Sequence, residues 1–124
     1  MQHAAALQGR RVLVVEDDFL VAQVLCDALQ DAGATVVGPI GWAGEAAAFV
    51  RRDGADFDSA LLDVNLHGEP SYPVADALTE RQVRFVFMTG YGTDAIDEAY
   101  RQHPRCEKPV RMGALLDALC PAEA

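Results

Sequence analysis

The chain has few of the residues that build a disulfide framework, a zinc site or a nucleic-acid surface. Its three cysteines are far apart and form no Cys-x-x-Cys pair, and its three histidines have no helical spacing. Only 10 lysines and arginines face 19 aspartates and glutamates, and the net charge of −9 argues against nucleic acid as a direct ligand. A protein partner or a cation suits this charge better.

Long apolar runs are also missing. No stretch approaches the ~20 apolar residues of a membrane-spanning helix. Residues 1–7 lack the charged start and long apolar core of a signal peptide. We therefore expect a cytoplasmic protein without a membrane segment.

Short apolar runs do occur, and they alternate with amphipathic stretches. This alternation over 124 residues predicts one α/β domain in which parallel strands alternate with helices. We expect a flavodoxin-like (βα)5 fold with strand order 2-1-3-4-5 and helices on both faces of the sheet. The domain spans residues 1–124, with a core of about 10–120, and leaves no room for an output domain.

Apolar periodicity and turn residues set the expected element bounds. The predicted strands cover residues 11–15, 34–37, 59–64, 84–88 and 105–107. The predicted helices cover residues 19–32, 42–52, 73–81, 94–100 and 112–119. Gly38-Pro39 is expected to close the second strand, and Asp18 to start the first helix.

Polar residues stand where four of these strands end. Glu16 and Asp17 follow strand 1, Asp63 ends strand 3, Thr89 follows strand 4, and Lys108 follows strand 5. In open parallel sheets the chemistry gathers beyond the carboxyl ends of the strands. Each residue alone also fits a solvated acid, a helix cap or a turn, but their conjunction predicts a site for a hard divalent cation and a phosphoryl group.

Mg²⁺ prefers oxygen ligands and keeps several of its waters. Asp17 and Asp63 are the expected carboxylate ligands, the backbone carbonyl of Asn65 is a third, and Glu16 is placed to hold a metal-bound water. An aspartate carboxylate can also act as a nucleophile toward phosphorus.

The remaining residues suit the phosphoryl group. Lys108 can neutralise its charge, and the hydroxyl of Thr89 can donate a hydrogen bond to it. Gly90 lets the backbone approach closely.

With these motifs in place, the chain resembles a response regulator receiver domain from end to end. The matching segments are residues 14–18, 62–65, 88–90 and 108–109. The resemblance implies that the acidic pair and Asp63 hold Mg²⁺, and that Asp63 accepts a phosphoryl group from a histidine kinase or histidine phosphotransferase. It also implies that Thr89 and Lys108 contact that group. Such a protein is a phosphoacceptor that signals to a downstream protein, and we do not expect an enzyme acting on a separate substrate.

A narrower resemblance lies in residues 85–92, Phe-Val-Phe-Met-Thr-Gly-Tyr-Gly. This stretch is similar to the signature of the FATGUY receivers, typically single-domain proteins of alphaproteobacteria that are often linked to kinases of the HWE/HisKA2 type. Met88 departs from the usual small residue before the threonine.

The switch also departs from the family pattern. Most receivers carry Tyr or Phe three residues before the strand-5 lysine, and Arg105 occupies that position here. Tyr91 is a candidate substitute, which would act with Thr89 and Gly90; a surface aromatic in a turn is the equal alternative. Trp42 is expected to pack far from the active end.

Several other functions remain open. A small phosphatase with an aspartyl nucleophile usually carries a second acid two residues later, where this chain has Asn65. A nucleotide-binding module needs a glycine-rich loop that is absent after strand 1. A degenerate receiver scaffold conflicts with the complete acidic set. The start at Met1 favours a complete stand-alone protein, and a receiver excised from a hybrid kinase or longer regulator is the alternative.

Overall fold

Seven strands and four helices alternate along the part of the chain that the computed structural model describes, which is residues 7–52, 56–90, 96–108 and 111–119. In chain order the strands are β1 (Arg11–Val15), β2 (Thr35–Ile40), β3 (Ser59–Asp63), β4 (Asn65–Leu66), β5 (Glu69–Pro70), β6 (Arg84–Thr89) and β7 (Arg105–Glu107). The helices are α1 (Phe19–Asp31), α2 (Ala43–Arg51), α3 (Tyr72–Glu80) and α4 (Met112–Leu119).

Five of the strands form one parallel sheet in the order β2-β1-β3-β6-β7. This order confirms the predicted flavodoxin-like topology, because β6 and β7 are the fourth and fifth strands of the repeat. The strands β4 and β5 pair separately as a short antiparallel hairpin. The hairpin was not predicted; it lies directly after Asp63.

Alternating side chains of the central strands divide the core into two clusters. Leu13 and Val15 of β1 pack with α2 and α3, whereas Val12 and Val14 pack with α1 and α4. Successive side chains of a strand point to opposite faces. The sheet is therefore covered by helices on both sides, as the apolar character of these strands predicts.

Helix α1 begins where the sequence predicts. The Asp18 side chain accepts hydrogen bonds from the backbone N–H groups of Leu20 and Val21, at 2.9 and 3.1 Å. The buried face of the helix contains Leu25 and Leu29. Two apolar residues whose spacing fits the helical period of that face point to solvent instead, Leu20 at 73% exposure and Val24 at 66%.

Other boundaries differ from the prediction. Strand β2 continues through Gly38 and Pro39 to Ile40, with an irregular register against β1 between Leu13 and Val15. A bulge lets an edge strand carry these residues without ending. Of the helix predicted near 94–100, residues 94 and 95 lie outside the described residues, and Glu98–Tyr100 form a single 3₁₀ turn.

Two findings in the described part of the chain concern membrane-spanning helices and cysteines. No helix there is long and apolar enough to cross a membrane. Cys26 and Cys106 are free thiols, as the spacing predicts, and Cys120 lies outside the described residues.

Gly38 offers a test of the β2 conformation. Its φ is +95°, and an added Cβ would lie 2.9 Å from the carbonyl oxygen of Val14. We predict that Gly38→Ala lowers the free energy of unfolding by about 1–3 kcal/mol, measured by urea denaturation. The control is Gly44→Ala at the start of α2, where an added Cβ meets nothing within 4 Å. Equal stability of the two variants would contradict this prediction.

Candidate functional site

The sheet brings the predicted polar residues to one edge. Asp63 ends β3, Thr89 ends β6, and Glu16 and Lys108 directly follow β1 and β7. The Lys108 ammonium donates hydrogen bonds to Asp63 Oδ2 at 2.8 Å and Glu16 Oε1 at 3.1 Å. Its backbone N–H donates to the carbonyl of Thr89 at 2.7 Å. Residues that are up to 92 positions apart in the sequence thus share one polar cluster.

Three carboxylates form the acidic half of this cluster. Glu16, Asp17 and Asp63 each offer an oxygen, and these oxygens all lie within 4.8 Å of one another. The side chain of Glu16 is fully buried, that of Asp63 is 10% exposed, and Asp17 is half-buried. A pocket with three negative charges and one lysine is short of positive charge, so its chemistry suits a divalent cation.

The shortage of positive charge is visible at Glu16. Burial, together with the nearby charge and side chain of Asp63, raises the pKa of its carboxyl to about 7. A hydrogen bond from the backbone N–H of Asp18, 3.0 Å from Oε2, and the charge of Lys108 act in the opposite direction. The carboxyl of Glu16 therefore resists ionisation below about pH 7.

Asp17 behaves differently because a backbone group binds it. Burial works against its ionisation, but the backbone N–H of His67 donates to Asp17 Oδ2 at 2.8 Å and holds the pKa below its usual value. A hydrogen bond with Glu16 acts in the same direction. Asp17 is thus ionised near neutral pH and can offer a charged oxygen to a cation.

Both oxygens of Asp63 have a hydrogen-bond donor. The Lys108 ammonium binds Oδ2, and the backbone N–H of Asn65 donates to Oδ1 at 3.2 Å. Burial tends to lower the pKa of Lys108, but Asp63 and Glu16 raise it above its usual value. The lysine therefore carries a full positive charge. The role of the Asn65 carbonyl as a metal ligand stays a prediction.

Sequence reasoning misplaced Trp42. Trp42 does not lie far from the active end: its indole stacks on the imidazole of His67, with ring centroids 3.6 Å apart and planes at 14°. Because β2 ends at Ile40 and not at residue 37, Trp42 follows the carboxyl end of a strand just as Asp17 does. The rule that located the acidic residues would have located Trp42 if the strand end had been correct.

The predicted switch residues fall into three groups. Thr89 is buried at the end of β6, and Gly90 is exposed after it. Tyr91 lies outside the described residues. Arg105 is half-buried, and its guanidinium donates to the carbonyl of Arg101 at 2.9 Å. Their part in switching stays a prediction.

An aromatic pair lies behind β6. The ring of Tyr100 stacks on that of Tyr72, with centroids 4.1 Å apart, and both rings contact the edge or face of Phe87. The Tyr100 hydroxyl donates to Asp76 at 3.0 Å. Tyr100 thus joins α3 to the segment before β7, a role that its sequence position did not reveal.

Known structures share this fold and, in one case, much of the sequence. No protein-family model and no curated protein matches the chain. SdrG from Sphingomonas melonis Fr1 is 42% identical, with a TM-score of 0.77 over 92% of this chain and 94% of that one. The chain belongs to the receiver-domain family of response regulators. A second SdrG structure, in a BeF3-activated conformation and assigned to Pseudomonas melonis Fr1, is 38% identical over 94% of both chains, with a TM-score of 0.73.

Two further receivers are more distant. The signal receiver domain of a modulated diguanylate cyclase from Desulfovibrio desulfuricans G20 is 26% identical, with a TM-score of 0.76 over 89% of this chain and 90% of that one. The receiver domain of the sensor histidine kinase PA1611 from Pseudomonas aeruginosa PAO1 is 20% identical, with a TM-score of 0.70 over 90% of this chain and 94% of that one. The latter has a magnesium ion in its active-site cleft and shows likeness of fold.

The raised pKa of Glu16 predicts a pH-dependent stability. The folded chain keeps this proton up to about pH 7, whereas an unfolded chain loses it near 4.5. Stability therefore falls as the pH rises from about 4.5 to 7, and the full cost is present above 7. In metal-free buffer, Glu16→Gln should raise the free energy of unfolding by about 2 kcal/mol at pH 8 and leave it nearly unchanged at pH 4, below the pKa of the unfolded chain.

The measurement is urea denaturation of both proteins with EDTA present. Glu45→Gln, an exposed glutamate at the start of α2, serves as the control and should change stability by less than about 0.5 kcal/mol at either pH. A Glu16→Gln variant that is less stable than the wild type at pH 8 would show that the buried charge is fully compensated by Lys108.

Proposed function

We propose that this protein is a stand-alone response regulator that accepts a phosphoryl group on Asp63 from a histidine kinase or a histidine phosphotransferase. The phosphorylated form would change which downstream protein it binds, or would drain phosphoryl groups from a shared kinase. One observation carries the proposal. A half-buried lysine ammonium binds Asp63 inside a group of three carboxylates at the carboxyl edge of the sheet.

The donor set of the site fits Mg²⁺, an ion that prefers oxygen ligands and retains waters. Asp17 and Asp63 would hold the ion with the backbone carbonyl of Asn65, and Glu16 would hold a water bound to it. The magnesium ion in the cleft of the PA1611 receiver supports this choice. When bound, the cation neutralises charge on the phosphoryl oxygens during transfer.

Asp63 supplies the nucleophile. One of its carboxylate oxygens forms a bond to phosphorus while the P–N bond to the donor imidazole breaks, and the imidazole leaves with the electron pair and later takes a proton from water. The hydrogen bond from the backbone N–H of Asn65 to Oδ1 limits the rotation of the carboxylate. A carboxylate of fixed orientation can present one oxygen to the phosphorus atom of the donor.

Lys108 responds to the new group. Its ammonium now binds Asp63 and Glu16. A phosphoryl group on Asp63 brings more negative charge than either carboxylate, so the lysine would follow it. Thr89 lies on the neighbouring strand, and its hydroxyl would donate to a second phosphoryl oxygen. These two contacts would carry the signal to β6 and β7.

We propose a stand-alone role in the cytoplasm; the match to SdrG, which spans 94% of the SdrG chain, is compatible with the stand-alone part of this proposal. The stretch 85–92 supports a role of the FATGUY type, with a donor kinase of the HWE/HisKA2 type. No separate substrate needs to be converted, so we propose a signalling protein that assists its own phosphorylation and dephosphorylation.

The phosphodonor must reach the site, and an exposed apolar patch lies beside it. Phe19, Leu20 and Val24 of α1 are exposed at 76%, 73% and 66%. Phe19 follows Asp17 by two positions, so the patch borders the acidic cluster. A helical protein that carries the donor histidine would pack its apolar side chains on this patch and present its imidazole to Asp63.

The acceptor is tested by Asp63→Asn, which keeps the size of the side chain and removes the nucleophile. We predict complete loss of labelling from acetyl phosphate or from a phosphorylated histidine kinase, with the fold retained in circular dichroism. Asp27→Asn, which changes an exposed carboxylate on α1, should label like the wild type. Label that persists in Asp63→Asn and resists hydroxylamine would refute an aspartyl phosphate.

The docking patch is tested by separating a protein donor from a small one. We predict that the double variant Phe19→Ala, Leu20→Ala slows transfer from a phosphorylated histidine kinase about five- to tenfold, because the truncated side chains lose contact area. Labelling by acetyl phosphate should stay unchanged, since this donor does not use the patch. The control is Gln30→Ala at the far end of α1. An equal slowing with both donors would mean that the patch serves the site itself.

A further inference from the structure

We propose that Trp42 is a positioning residue for the acidic site. Its indole holds the imidazole of His67, and this stack keeps the backbone N–H of His67 on the carboxylate of Asp17. The inference rests on the proposed function, because the property that it affects is the affinity of the site for Mg²⁺.

The backbone of His67 is held in an unusual conformation. His67 has a φ of +52° and Gly68 a φ of +82°, and they form the two-residue turn between β4 and β5. Positive φ at both central residues is typical of the tight hairpin turn that usually contains Asn-Gly. For a residue with a Cβ, such as histidine, this conformation is unfavourable. The hydrogen bond from its N–H to Asp17 Oδ2, at 2.8 Å, is the contact that the turn makes possible.

The Trp42 side chain holds this turn from outside the core. It is 56% exposed, so much of its ring is not buried in the fold. The contact that it does make is the stack on His67, in nearly parallel planes with centroids 3.6 Å apart. A stacked aromatic pair stabilises a structure beyond the effect of its buried area. This stabilisation opposes the cost of the turn at His67.

The segment before Trp42 packs on the same groups. A Cβ built on Gly41 would lie 3.5 Å from the Cα of Asp17, and 3.6 Å both from the carbonyl oxygen of Glu16 and from the Nε2 of His67. The end of β2 is tied to the site as well, since the backbone N–H of Glu16 donates to the carbonyl of Ile40 at 3.0 Å. The stack is therefore anchored to the strand that neighbours β1.

These contacts form a chain from Trp42 to a metal-binding carboxylate. When the His67 N–H holds one oxygen of Asp17, the rotation of the carboxylate is fixed and the other oxygen is presented to the cation. Loss of groups that orient a metal ligand typically lowers affinity about 10- to 100-fold. Trp42 acts at one remove, through the turn, so we expect about a three- to tenfold loss when its ring is truncated.

The test measures Mg²⁺ affinity of the full chain by calorimetry, in Trp42→Ala, Trp42→Phe and His67→Gly. Trp42→Ala should bind Mg²⁺ about three- to tenfold more weakly, and Trp42→Phe, which keeps a ring, should stay within about twofold of the wild type. His67→Gly keeps the backbone N–H and tolerates the positive φ but removes the ring, so it should lose as much as Trp42→Ala. The double variant Trp42→Ala, His67→Gly should bind Mg²⁺ no more weakly than either single variant, because each substitution removes the same stack.

Two further readouts separate positioning from a general loss of stability. Trp42 is the only tryptophan, so the fluorescence emission of the chain reports on this residue. The emission should change when Mg²⁺ is added to the wild type and should not change when Mg²⁺ is added to Asp17→Asn. At saturating Mg²⁺, Trp42→Ala should label with acetyl phosphate at the wild-type rate, because only cation binding was weakened. Gln30→Ala is the control for a harmless surface change.

The outcomes distinguish this inference from the proposed function. Wild-type Mg²⁺ affinity in Trp42→Ala would overturn the inference and leave the proposed function intact. Additive losses in the double variant would also overturn it, because independent effects do not share a stack. Absence of Mg²⁺ binding in the wild type would overturn both.

Discussion

Three carboxylates at the edge of the sheet repel one another, and the other groups of the site offset this repulsion. Their oxygens lie within 4.8 Å of one another, and two of the three side chains are almost completely buried. The Lys108 ammonium binds two of them, Glu16 and Asp63. Each of the three carboxylates also accepts one hydrogen bond from a backbone N–H group. The donors are Asp18 for Glu16, Asn65 for Asp63 and His67 for Asp17. Even so, the pKa of Glu16 reaches about 7. The site without a cation is strained electrostatically, and this strain is what a cation would relieve.

The fold places this constraint where it can act. The carboxylates lie at the ends of the neighbouring strands β1 and β3, and Lys108 follows β7, which is joined to β3 through β6. The rigid sheet therefore sets their separation. The apolar side chains of β1 and β3 bury both faces of the sheet and prevent the strands from sliding. Because the core holds the strands in place, the charged side chains at their ends keep a fixed arrangement, which a flexible loop could not maintain.

Much of this arrangement could be predicted because it depends on periodicity. The apolar runs of β1, β3 and β6 and the polar residues after them are local patterns, and together they predict the topology and the cluster around Asp63. The hairpin 65–70 and the true end of β2 could not be predicted in this way. The strand continues through Gly38 and Pro39, two residues that normally end one, because a register irregularity against β1 accommodates them. The Trp42–His67 stack depends on both of these features and was missed for that reason.

Exposed apolar residues of α1 illustrate a second limit. Leu20 and Val24 fit the helical period of a buried face but point to solvent. Periodicity gives the direction of a side chain relative to its helix, and it does not reveal whether another element covers that side. The uncovered residues lie in the first half of the helix that follows Asp17, and under the proposed function a phosphodonor would approach there.

The most direct measurement is an experimental structure of the chain with Mg²⁺ and beryllofluoride, the reagent of the BeF3-activated SdrG structure. We predict a bond between beryllium and a carboxylate oxygen of Asp63, with the Lys108 ammonium moved from the carboxylates to a fluorine and the cation held by Asp17 and Asp63. Beryllofluoride on another residue, or an intact Lys108–Asp63 pair at saturating reagent with no beryllium on Asp63, would contradict the assignment of this site as the phosphoryl acceptor.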